Sequence, residues 1–476
     1  MSIHTIAKNT SFITAASVLQ KVFSFIYFTL VARTIGVEAT GQYTFALAFT
    51  TVFVIFIDLG FTQVLIREGA KQKDKLQTYF SNILFVKIFA GFITYITLWI
   101  ITSNSEYSTV TQTLILISGV TMLFDSLHLT NYAVLRAQEN LRYEALGLIG
   151  SQGLTLLIGS CFLWYGAPLP FLMLAFLIPS VCNVLYSFFI LIKRYSIYPI
   201  PTCNLDVLSP LIKMMIPFAI AAILARLYSY ADTLILAHMA GESAVGLYSV
   251  PYKITYAFQF IPLALGAALY PKFSYSFEHE KENIPKLLRQ SIQYLFLCVI
   301  PISIGLSVLA PTIIPLIYTD AYTGSILTLQ ILLTGLIFSF LTFPLGALLN
   351  ACNKQHIQTG IIACALVLNV ILNIILIPAY SIIGAALAAL LGNIFFVVCG
   401  LFAARTLARG WFIQAYTSLG GITLSGIIMG GVVWYSTHYI HFILSIGLGA
   451  LVYVGCLFLF HIVSIASLKQ MLRISQ

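Results

Sequence analysis

The chain reads as a succession of apolar runs, each long enough to cross a bilayer, separated by short polar loops. A spanning helix needs about 20 mostly apolar residues. On that basis helices are expected near 11–33, 42–66, 79–102, 111–135, 145–165 and 169–192. A second set is expected near 212–238, 246–271, 291–315, 324–350, 358–378 and 382–404, followed by two more near 413–435 and 440–463. The pattern predicts an all-α membrane protein of about 14 transmembrane helices.

The polar positions fix an orientation. Alternate loops carry Arg67/Lys71/Lys73/Lys75, Arg136/Arg142, Lys193/Arg194, Lys272/Lys281/Lys286/Arg289, Lys354 and Arg405/Arg409, with Lys8 before the first run and Lys469 and Arg473 in the tail. The opposite loops, around Glu38, Glu106, Pro168, Glu242, Asp320, Tyr380 and His438, carry almost no basic residue, Arg33 at the edge of one excepted. Lys and Arg accumulate in cytoplasmic loops, so both termini are expected in the cytoplasm of a multi-pass cell-membrane protein.

Composition supports this reading and removes alternatives. Of 476 residues 60% are hydrophobic and only 8% charged, against roughly 25% charged in a soluble domain. The net charge of +9 sits in short loops, where it orients spans, so no nucleic-acid partner is expected. Ser11–Val31 has no small-residue cleavage site after it and is expected to remain as a first helix. Eight scattered Cys without a C-x-x-C pair indicate neither a disulfide framework nor a metal site.

The chain also repeats itself. Gln20-Lys21-Val22-Phe23-Ser24 returns 205 residues later as Ala225-Arg226-Leu227-Tyr228-Ser229, and Gly36, Gly41 and Tyr43 return as Gly241, Gly246 and Tyr248. Further on, Ala133-Val134-Leu135-Arg136-Ala137 resembles Ala347-Leu348-Leu349-Asn350-Ala351 at an offset of 214. Six helices therefore return as a second six in the same orientation: a parallel repeat, whose substrate site is expected near the bilayer midplane between the halves. The organisation expected is a six-helix lobe over 1–200, a second over 201–408, and two extra helices with a cytoplasmic tail over 409–476.

These residues carry a family resemblance. Asn9-Thr10-Ser11 with Gln20-Lys21, Asp58-Leu59-Gly60 and Ala225-Arg226-Leu227-Tyr228-Ser229-Tyr230-Ala231-Asp232 are part of it. So are Gly246-Leu247-Tyr248-Ser249 with Pro251-Tyr252-Lys253, Pro344-Leu345-Gly346-Ala347-Leu348-Leu349-Asn350, and Asn373-Ile374-Ile375-Leu376-Ile377-Pro378 before Gly384-Ala385-Ala386. In order and spacing the chain resembles the polysaccharide-biosynthesis flippases of the superfamily that also holds multidrug exporters and murein-precursor flippases. The resemblance implies a V-shaped molecule of two lobes that opens alternately to each side. It implies a polyprenyl-diphosphate-linked oligosaccharide as cargo, no cofactor, and Na⁺ or H⁺ as coupling ion. The expected partners are that lipid-linked oligosaccharide, membrane lipids and a glycan polymerase or ligase machinery, with the chain itself a monomer.

Charges inside the spans are the candidate chemistry, because each costs at least ~2.5–3.5 kcal/mol at mid-bilayer. Five basic candidates lie within or at the ends of spans: Lys21, Arg33, Lys87, Arg226 and Lys253. Lys21 and Arg226, at the middle of the first helix of each repeat, are expected to hold a diphosphate, Arg in bidentate fashion and Lys as a point charge. Ion pairing within a lobe, or snorkelling, is the structural alternative. Lys87 and Lys253 are further substrate candidates, and Arg33 an interfacial anchor or release residue.

Three acids lie in spans: Asp58, Asp125 and Asp232. Asp232 with Asn369 and Asn373, themselves spaced i, i+4, forms a candidate cation site; a salt bridge and helix-packing hydrogen bonds are the alternatives. Asp58 is expected to cap or pair, and Asp125 to pair with Lys21 or Lys87. A cation-coupled multidrug exporter is the competing function, but five basic against three acidic groups in the spans favour an anionic cargo. An enzyme that uses lipid-linked sugars would need a sizeable loop for its catalytic acids, and none exceeds roughly 25 residues.

Overall fold

The computed structural model describes residues 3–462; Lys469 and Arg473 lie outside the described residues, as does the side chain of Lys8. The described residues contain helices and no strand. In chain order they are α1 (Ile3–Asp58), α2 (Phe61–Lys71), α3 (Leu76–Ser103), α4 (Thr109–Ala137), α5 (Arg142–Trp164), α6 (Leu169–Tyr195) and α7 (Leu205–Ala240). There follow α8 (Glu242–Ala257), α9 (Phe260–His279), α10 (Ile284–Tyr318), α11 (Ser325–Ala351), α12 (Gln355–Ala404), α13 (Trp411–Ser436) and α14 (Phe442–Leu459).

Among the described residues, twelve helical stretches are long and apolar enough to cross a membrane. Two of them, Phe12–Asp58 and Gln355–Ala404, contain a break, at Gly36 (φ 80°, ψ 178°) and at Ser381 (φ 50°, ψ −125°). Dividing each at its break turns twelve stretches into fourteen, in agreement with the expected count.

The run expected as one helix over 42–66 is interrupted in the structure. Leu59 (φ 42°) and Gly60 (φ 83°) turn the chain before α2 starts. Gly60 lies under α7: a Cβ there would come within 2.8 Å of Phe218 Cβ and 3.0 Å of the Ala219 nitrogen. The run over 246–271 is divided likewise, at Phe258–Gln259 between α8 and α9.

The sequence repeat is a repeat of backbone conformation. Gly241 (φ 84°, ψ 176°) copies Gly36, in a region that only glycine enters without strain. Glu139 and Asn353, at the second offset, share φ 59°. One residue on, the Asn140 N–H donates to the Leu135 carbonyl and the Lys354 N–H to that of Leu349, at 3.0 and 2.8 Å.

By packing, the chain divides into two compact units, Met1–Ser249 and Val250–Gln476. The sequence repeat begins anew before α7, whereas α7 and the start of α8 pack with the first unit. In the first unit Phe61, Leu65, Leu76, Phe80, Leu84 and Val134 form a buried cluster with their neighbours. In the second, Leu269, Phe273, Ile284, Leu288, Ile292 and Leu348 form the corresponding one. The first five positions recur at one shared offset of 208 and the sixth at 214, so each repeat builds its core from the same places. In lipid such packing is held by close van der Waals fit and by hydrogen bonds between helices.

Candidate functional site

In the first unit α1 packs against α3, α4, α5 and α7, which brings the helices of Lys21 and Arg226 together. Lys21 is half-buried. Arg226 is exposed near the middle of α7 and forms no ion pair with a described residue. A cation at that depth is tolerated only where it faces the bundle interior or water. The arrangement thus leaves one guanidinium, with its fork of five donors, available to an anion. Arg33 is exposed three residues before the Gly36 break, and Lys253 is half-buried in α8.

Lys87 differs from these. It is 2% exposed, its Nζ lies 2.5 Å from Asp58 Oδ1, and it donates to Thr62 Oγ1 at 2.8 Å. Thr62 in turn donates to Asp58. The pair ties α1, α2 and α3 together, and its cation is already neutralised. Asp58 pairs, as its sequence setting indicated. Asp125 does not pair with Lys21 or Lys87 as expected: it accepts a hydrogen bond from Ser180 on α6 and lies 3.6 Å from His128 Nδ1. The azimuth of the side chain on α4 decides this, since Asp125 and His128 are three residues apart and share a face.

Asp232, 8% exposed, accepts a hydrogen bond from Tyr248 at 3.2 Å. Asn369 and Asn373 are buried on α12, and Asn373 Nδ2 donates to Asn369 Oδ1 at 3.1 Å and to its carbonyl at 2.9 Å. Asp232 belongs to the first unit, the two Asn to the second. Each presents oxygens of the type that hard cations take.

Sequence reading missed three polar features. Glu144, fully buried on α5, holds Arg136 of α4 through two contacts, at 2.9 and 2.5 Å. Glu242, the first residue of α8, accepts from Gln42 Nε2 at 3.0 Å and Thr111 Oγ1 at 2.5 Å. The third is His128, 8% exposed and adjacent to Tyr132 with ring centroids 5.5 Å apart. Only the His128–Asp125 spacing carried a signal in the sequence.

Comparison with known proteins places this architecture. The family model described as polysaccharide biosynthesis protein matches residues 6–277, and the model described as MatE matches residues 217–375. Among curated relatives, the probable low-salt glycan biosynthesis flippase Agl15 of Haloferax volcanii is 26% identical over 52% of the chain. The match spans about half of that relative, 53% of its length. The capsular polysaccharide biosynthesis protein CapF of Staphylococcus aureus is 22% identical, covering 80% of the chain and 94% of the relative. The fold is that of the lipid II flippase MurJ, solved in an inward closed conformation: TM-score 0.78, 18% identity, 94% of this chain and 98% of that one.

Proposed function

Because this chain belongs to the polysaccharide biosynthesis protein family, we propose that it is a flippase for a polyprenyl-diphosphate-linked oligosaccharide, carrying the head group from the cytoplasmic to the outer leaflet by alternating access. Family and relatives are membrane transporters of polysaccharide biosynthesis, not enzymes. The observation that carries the cargo assignment is Arg226, exposed at mid-helix without an acidic partner among the described residues. Lys21 is the second cation for the diphosphate. Lys253 and Arg33 follow the phosphates along the path, and Lys87 joins only if its pair with Asp58 opens.

Asp232, Asn369 and Asn373 are the candidate sites for a coupling ion, Na⁺ or H⁺. The loop charges support a cell-membrane protein with cytoplasmic termini. The MatE match over 217–375 keeps a multidrug exporter as the second reading, in which case the cargo would be cationic and Arg226 would repel it.

The test is leaflet accessibility of a labelled lipid-linked oligosaccharide in cells that carry Lys21→Ala with Arg226→Ala. Flipping should fall by at least the ~10-fold that loss of one charged hydrogen bond represents. Undiminished flipping in the double variant would sink the assignment. Export of a lipophilic cation, gained or unchanged, would favour the second reading.

A further inference from the structure

The polar groups on one face of α4 are not used by the cation site for cargo. Asp125, His128, Tyr132 and Arg136 follow at spacings of three and four, so they stack along one helix face. Asp125 is near the middle of α4, and its side chain is 45% exposed. An acid at that depth faces water within the bundle rather than lipid. Ser180 of α6 holds the carboxylate.

His128 stands one turn further in and is more than nine-tenths buried. Its Nδ1 makes no hydrogen bond of normal geometry; Asp125 Oδ1 is 3.6 Å away, and the Phe124 carbonyl acts on the same ring. Beyond it Tyr132 donates to Asn183 of α6, with Gly147 of α5 leaving the room: a Cβ there would fall 1.8 Å from the tyrosine oxygen. The ladder ends at the Arg136–Glu144 pair.

We propose that Asp125, His128 and Ser180 form a proton-binding site in the first unit, His128 Nδ1 taking the proton and the Asp125 carboxylate holding the resulting imidazolium. A proton arriving from water beside Asp125 binds the Nδ1 lone pair. One N–H bond forms, and the pair passes from a net charge of −1 to 0. Two acceptors then stand ready for that N–H, the carboxylate and the Phe124 carbonyl. An imidazole with one carboxylate and one hydroxyl is a proton site rather than an alkali-cation site, because hard cations select oxygen ligands.

The buried charged groups on the helices packed against α4 already have partners. Lys87 of α3 is held by Asp58 of α1, Glu144 of α5 by Arg136, and Glu68 of α2 by Lys71 and Arg67. Lys21 of α1 is half-buried, and α6 brings Ser180, Asn183 and Ser187 to this face. Asp125 is therefore the counter-ion for His128. A proton here deepens the reading of an ion-coupled transporter and rests on that reading only for its link to transport.

The test uses the full chain in lipid nanodiscs with ¹⁵N-labelled histidine. The His128 resonance is identified by its absence in His128→Gln. It should pass from neutral to protonated as the pH is lowered across the range in which the protein stays folded, and in Asp125→Asn its proton affinity should fall at least tenfold. Asp125→Asn keeps shape and the Ser180 contact, so it serves even if His128→Gln folds poorly, because Asp125→Asn itself then identifies the resonance by its shift. A His128 resonance that stays neutral through this range, or that titrates identically in Asp125→Asn, would overturn the proposal. The readout needs no cargo, so a failure of lipid-linked sugar to move would count against the flippase reading and leave this site standing.

Discussion

Gly41 and Gly246 occupy reciprocal positions in one helix crossing. A Cβ on Gly41 would lie 1.7 Å from the carbonyl oxygen of Glu242, and a Cβ on Gly246 would lie 2.0 Å from that of Val37. Since Gly246 repeats Gly41, and Glu242 repeats Val37, each at an offset of 205, the crossing is a local two-fold axis written into the duplicated sequence. Close backbone approach of this kind is what small residues permit at helix interfaces in membranes.

Either Gly41→Ala or Gly246→Ala forces backbone apart, at a cost of about 1–3 kcal/mol. Because both substitutions open the same crossing, the double variant should be less destabilised than the sum of the singles. Thermal melts of the four proteins form the required cycle; strict additivity would mean that the glycines act independently.

Gly36→Ala and Gly241→Ala meet a different obstacle. Neither site has an atom within 4 Å of a new Cβ, so the cost is conformational only, about 1–3 kcal/mol. With φ of 80° and 84°, the two variants should lose equal stability, to be read as matched shifts in melting temperature.

Lys87→Met leaves Asp58 without its counter-ion and should cost about 3–5 kcal/mol, the range for breaking one side of a buried pair. Adding Asp58→Asn removes the stranded charge and should recover most of the loss. Melting in a single detergent measures both; a Lys87→Met protein as stable as the parent would show that the pair holds nothing.

Arg226 should behave in the opposite way. Being exposed and without an ion pair among the described residues, it can become Gln with a stability change within about 0.5 kcal/mol, while transport of an anionic lipid-linked sugar falls. Arg226→Lys should retain part of the rate, since charge persists but the bidentate fork is lost. Parallel melting and flipping assays separate the two effects.

Much of the fold was legible because membranes impose a simple rule: apolar length makes a span, and basic loops mark a side. The duplication was legible for a further reason. Glycines with positive φ cannot be replaced freely, so Gly36 and Gly241 stayed where the ancestral turn required them. The site was less legible, because depth along a helix is written in the sequence while azimuth is not. Asp58 and Lys87 flank the same basic loop in the sequence, the one that holds Arg67 to Lys75, yet nothing in the apolar runs around them told that they point at each other. The same blindness hid the packing of His128: its spacing from Asp125 was legible, its burial was not.

The Lys87–Asp58 pair also bears on how the chain enters the bilayer. Asp58 closes α1, but its counter-ion sits on α3, made 29 residues later. Until α3 arrives, the carboxylate has its hydrogen bond from Thr62 but no counter-ion, and a charge in that state favours contact with water. The first helices therefore reach charge neutrality at this depth only once α3 is in place, which makes the end of α1 and the first half of α3 dependent on one another.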